Sequence, residues 1–159
     1  MTSLGTSRIL RERNGMTTTL AQEPRLILFH KQSTSARLRF LKFSYGAVCG
    51  LTPLPPLAQL LDEAPDEKLL THPAHTVNAA IDYFALDSEG ILAEGDYRAF
   101  VEIPQGTVQV FLAQFTHIDP PFAAAQSRGA EFIDLTQARD LPDVELELLR
   151  RAYELLLGG

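Results

Sequence analysis

The sequence predicts an α+β fold: an antiparallel β-meander of about four to six strands, covered on one face by helices that include a C-terminal amphipathic helix. Three observations predict it. The centre of the chain alternates apolar and polar residues between short turn signals, residues 143–158 repeat apolar residues at helical spacing, and the composition is that of an ordinary globular chain, 45% apolar and 21% charged. At 159 residues, one hydrophobic core is expected.

The first stretch, residues 1–24, is rich in Ser, Thr and Arg and too poor in apolar residues to order itself. It reads as a flexible basic N-terminal extension, with residues 25–159 as a single α+β domain. An organellar transit peptide shares this composition but is not preferred, and Met16 offers an equally sensible start. From Arg25, the apolar run RLILFHK reads as a buried strand ended by the turn-like QSTS. In ARLRFLKFSYGAVCG the alternation changes phase between Phe40 and Leu41, which a bulged strand would explain, although Leu38, Leu41, Tyr45 and Val48 would also suit one helix face.

LTPLPPLAQLLDEAPDE places prolines ahead of Leu57, Leu60 and Leu61, predicting a short helix that stops at Pro65. Its acids Asp62, Glu63, Asp66 and Glu67 read as a solvated end. Val77, Ala79, Ile81, Tyr83 and Ala85 alternate as a strand, DSEG turns the chain, ILAEGDYRAFVEI follows with a bend at Gly95, and PQGT turns it into VQVFLAQFTHI. AAAQSRG then predicts a short helix and EFIDL a further strand, beside the first strand or at an edge. In the last helix Val144, Leu148, Ala152 and Leu155, with Leu149 and Leu156, form a broad apolar stripe. Asp143 suits its start, Gly158 its end, and Glu145 and Glu147 the positive end of its dipole. The stripe is wide enough to cover the sheet or to pack against a second copy.

Charge is split along the chain. Residues 1–50 hold eight Arg or Lys against two acids, and the remainder holds six against eighteen, for a net of −6. The basic residues are scattered, without the clustering that nucleic acid requires, so an arm lying on its own acidic domain is the preferred reading. A single cysteine, Cys49, excludes an internal disulfide and a cysteine-rich zinc site, and fits a reducing, cytoplasmic setting. No window approaches the roughly eighteen consecutive apolar residues of a membrane-spanning helix.

Few reactive constellations can be assembled. His72 and His75 in HPAH, with His117 and Asp119 in HID, have the donor types for a divalent metal such as zinc, provided the sheet brings them together. Cys49, among Ala47, Val48 and Leu51, reads as a buried and inert thiol. The carboxylates Asp87, Glu89, Glu94 and Asp96 fall in turns and bends, where solvated acids are normal. Phosphate-loop, dinucleotide and nucleophile-elbow motifs are absent. Tyr83, Phe84, Tyr97, Phe100, Phe111 and Phe115 lie on both parities of the predicted sheet, as core or as a pocket. Those opposite the terminal helix need a cover: a partner, a second subunit or the N-terminal strands. The expected function is a non-catalytic accessory protein that binds a protein partner or itself, as a homodimer, through its acidic sheet and C-terminal helix, without a cofactor. The alternative is a small His-dependent metal enzyme or small-ligand binder centred on the four residues above.

Overall fold

The computed structural model describes residues 22–62 and 71–158. The chain runs β1 (Arg25–Lys31), β2 (Leu38–Lys42), β3 (Gln59–Leu60), α1 (Ala74–Tyr83), β4 (Ile91–Ala93), β5 (Ala99–Ile103), β6 (Gly106–Phe115), α2 (Phe122–Gln126), β7 (Glu131–Ile133), a 3-10 turn (Leu135–Gln137) and α3 (Asp143–Gly158). All seven strands join one open sheet in the order β3-β5-β6-β1-β2-β7, with β4 also pairing to β6.

The sheet is mixed, which corrects the expected antiparallel meander. β1 and β6 lie parallel at its centre, Arg25 opposite Val110 and Phe29 opposite Gln114, while the other pairings are antiparallel. A second correction concerns the layers, because helices cover both faces. On one side α3 sets Leu148, Leu149 and Ala152 against Ile27, Phe29, Phe40, Val110 and Leu112. On the other, α1 sets Val77, Ala80, Ile81 and Phe84 against Leu26, Leu28, Leu41, Phe111 and Phe115, with Ala125 of α2 beside them. A central strand with two dry faces is buried at nearly every position and reads as a near-continuous apolar run, here residues 26–29. That is why Arg25–His30 is buried without a break.

Burial on two sides also removes the need for a bulge in β2. Leu38 and Phe40 enter the α3 layer, Leu41 and Phe43 the α1 layer, so the change of phase is a change of face. Residues 77–83 form a helix rather than a strand. The spacing Val77, Ala80, Ile81 and Phe84 buries one helical stripe, and it coexists in the sequence with the alternation that suggests a strand. The aromatics opposite α3 are thereby covered by the chain's own α1. The helix expected after the prolines does not form where the structure describes it. Pro53, Pro55 and Pro56 precede β3, Leu57 is 72% exposed, and Leu60 pairs with Val101. The rest of that segment, with Pro65, Asp66 and Glu67, lies outside the described residues, as do residues 1–21 of the expected extension. β7 takes the sheet edge beyond β2.

Two turns carry the register. Ile103 pairs with Gly106 across Pro104–Gln105, and Gly106 adopts φ 142°, a conformation open to glycine but not to side-chain-bearing residues. α1 ends with the Leu86 N–H donating to the Ile81 carbonyl at 3.0 Å and Ala85 at φ 55°, a left-handed closure made without glycine. Among the described residues, no helix is long and apolar enough to cross a membrane.

Candidate functional site

One cleft follows from the way β4 and β5 share one flank of β6. β4 pairs with residues 113–115 and β5 with residues 106–110, so the chain between them must leave the ladder. The Glu94 N–H makes a last bond to the Leu112 carbonyl at 2.7 Å before residues 95–98 bulge outward. Tyr97 anchors the bulge on the α3 side, where its ring is buried and its hydroxyl donates to the Leu148 carbonyl at 2.9 Å. Burial raises the pKa of this hydroxyl, so Tyr97 is a structural pin.

On the α1 side the bulge leaves a cleft of about 140 Å³, walled by Thr71, Pro73, Glu94, Arg98, Gln109 and Phe111. Gln109 precedes Phe111 on the same face of β6 and is half-buried. Its Oε1 accepts from both the backbone N–H and the hydroxyl of Thr71, each at 2.9 Å. A backbone N–H can only donate, so the oxygen of the amide is identified by its partner, and Nε2 has no hydrogen bond among the described residues. Pro73, on the cleft wall, opens α1, and the first N–H group of the helix, that of Ala74, is taken by the His72 side chain. Arg98 is exposed and Glu94 half-buried. The cleft thus sets one cation, one carboxylate, an amide donor and the positive end of a helix over the ring of Phe111.

The four expected metal ligands do not meet. His72 and His75 flank Pro73 at the start of α1, and His72 Nδ1 accepts from the Ala74 N–H at 3.1 Å. His117 lies eight residues beyond Gln109, a distance of about 25 Å along an extended strand. Its carbonyl accepts from His30 Nε2 at 2.8 Å, and Asp119 accepts from Gln32 Nε2 at 2.8 Å. Among the described residues no group of three or more His, Cys, Asp and Glu can hold a metal ion. The physical reason is that the sheet places the two motifs at opposite ends of β6 instead of joining them.

Two buried polar residues escaped the sequence reading. His30, fully buried in β1, donates through Nε2 while its Nδ1 has no partner. Its signal was a histidine inside an otherwise apolar strand. Glu145, 2% exposed in the first turn of α3, accepts from the Val48 N–H at 3.1 Å. Burial raises its carboxyl pKa, while the N–H groups of Val48 and Cys49 and the Cys49 thiol pull it back. Its signal was its spacing, since Glu145, Leu148, Leu149 and Ala152 fall on one stripe. The neighbouring Cys49 is fully buried, and desolvation with the nearby Glu145 pushes its thiol well above the usual range, so it is inert as expected.

Neither a protein-family model nor a curated protein sequence matches the chain. A solved structure does. The crystal structure of C. elegans Ap4A hydrolase is similar over 84% of this chain and 96% of its own, at 16% sequence identity and a TM-score of 0.49. That structure belongs to an enzyme. The expected non-catalytic interaction protein is withdrawn on the fold itself. The leucine stripe of α3, expected to cover the sheet or to pack against a second copy, is used within the chain: Leu148, Leu149 and Ala152 are fully buried, and Val144, Leu155 and Leu156 pack against the same layer.

Proposed function

We propose that this chain is an enzyme acting on a small anionic molecule held in the cleft between the β4–β5 bulge and the start of α1. Supporting this reading above all is the fixed amide of Gln109, whose oxygen is taken twice by Thr71 and whose Nε2 is left as a donor beside Arg98. A guanidinium, an amide N–H and the start of a helix line this one cleft, and each favours negative charge. Glu94, on the same cleft, is the group that can take a proton from a water attacking the bound molecule, with Arg98 holding the charge that forms on the leaving group. At about 140 Å³ the cleft holds a phosphoryl or carboxyl group and its immediate neighbours, and the rest of the molecule lies outside it.

Calorimetric binding and chromatographic turnover with ATP, inorganic phosphate and Ap4A, the compound named for the similar structure, test this. Arg98→Ala is expected to weaken binding about tenfold or more, as loss of a charged hydrogen bond does. Glu94→Gln is expected to keep binding and lower turnover by about a hundredfold. Binding unchanged in Arg98→Ala, or turnover unchanged in Glu94→Gln, sinks the assignment.

A further inference from the structure

The geometry points to a second anion site on the opposite side of the sheet, between the 3-10 turn and α3, built to take the phosphoryl group of a small phosphorylated molecule. Leu135, Thr136, Arg139, Leu146 and Arg150 line a cavity of about 400 Å³ there. In a chain whose net charge is −6, this cavity is lined by two guanidiniums and, among the described residues, no carboxylate. Arg150 approaches Glu147 at 3.5 Å, but both side chains are largely exposed, at 63% and 44%, and Glu147 also reaches Arg151 at 3.8 Å. One solvated carboxylate shared between two cations leaves positive charge over. Arg139 makes no ion pair among the described residues.

The turn that precedes Arg139 is tied down by side-chain contacts. Arg37 pairs with Asp134 at 3.0 Å, the Asp134 N–H donates to Gln137 Oε1 at 2.8 Å, and Arg139 sits between the buried anchors Ala138 and Leu141. Leu135 and Leu146, both packed on the core, give the cavity an apolar side, and the hydroxyl of Thr136 adds a donor. Two planar guanidiniums and a hydroxyl match the several oxygens and near-double charge of a phosphoryl group, and the leucines suit a small apolar body attached to it.

Phenyl phosphate is the probe, followed by calorimetry and by amide NMR shifts of the full chain, with benzoate as the carboxylate of similar body. Wild type is expected to bind phenyl phosphate saturably with shifts at residues 135–150, and Arg139→Ala with Arg150→Ala to weaken it about tenfold or more while the thermal melt is kept. Benzoate is expected to bind about tenfold more weakly than phenyl phosphate, having a single charge. Equal affinity in the double variant overturns the site, and equal affinity for benzoate overturns the phosphoryl assignment. Binding lost in Arg98→Ala but kept in the double variant belongs to the cleft at α1 and overturns this site without touching that one.

Discussion

Glu145 shows how a single side chain couples two segments at an energetic cost. Its carboxyl reaches the N–H of Val48 from the first turn of α3, tying the loop after β2 to the helix that covers the sheet. No cation lies in hydrogen-bond contact with it among the described residues, so burial dominates and its pKa is raised from an ordinary 4.5. A carboxyl with a folded-state pKa above its unfolded value holds its proton more tightly when folded. Its contribution to stability is therefore fully present below pH 4.5 and is lost as pH rises through the folded-state value. Glu145→Gln keeps an acceptor for Val48 and has no charge to bury. It is expected to stabilise the chain by about 1 kcal/mol at pH 8, a rise in Tm of roughly 2–4 °C, and to have no effect at pH 3.5. Thermal melts at the two pH values decide it, and a Gln variant less stable at pH 8 would show that the charged form is the one the fold uses. Nearby, Gly50 is required by contact rather than by backbone conformation, because a Cβ there would collide with the ring of Phe43.

Among the elements, α3, α2, β1 and the hairpin of β5 and β6 were legible in the sequence, because each has one periodicity and clear punctuation. α1 was not. Val77 and Ile81 belong both to the alternating set and to the helical stripe, and only the burial of Ala80 and Phe84 in place of Ala79 and Tyr83 separates the two. The end of α1 hides a further cue, for Ala85 occupies the left-handed position where a glycine would have announced a helix terminus. A Cβ in that conformation is strained. Ala85→Gly is expected to raise stability by about 1 kcal/mol, measured by urea unfolding with an unchanged m value. A loss of stability would mean that the wider freedom of glycine in the unfolded chain outweighs the relief.

For the whole molecule, the parallel pairing of β1 with β6 decides what the sequence could reveal. It joins residues more than eighty positions apart and gives β1 two dry faces, so an assumption of one apolar face leads to a meander and to a missing cover for the second face. The cleft was beyond reach for the same reason. Thr71, Glu94, Arg98 and Gln109 each read as unremarkable turn or strand residues, and only the pairing of β4 and β5 along β6 brings them around one space. Hydrogen exchange should follow this architecture. The amides of β1 and β6, paired on both sides and covered on both faces, are expected to exchange last and those of β3 and β7 first. Equal protection of β7 and β1 would contradict a sheet centred on the parallel pair.

The sheet also tapers toward its borders. β3 contributes two residues and β7 three, against ten in β6. An unpaired strand border is where foreign chains dock to extend a sheet into fibrils, and borders this short offer only one or two of the backbone groups such growth needs. The long, apolar, amyloid-competent segments RLILFHK and VQVFLAQF are kept at the interior, where each is paired along both flanks. A chain with so much β-forming sequence is thereby guarded against self-templating for as long as its two outermost strands stay in place.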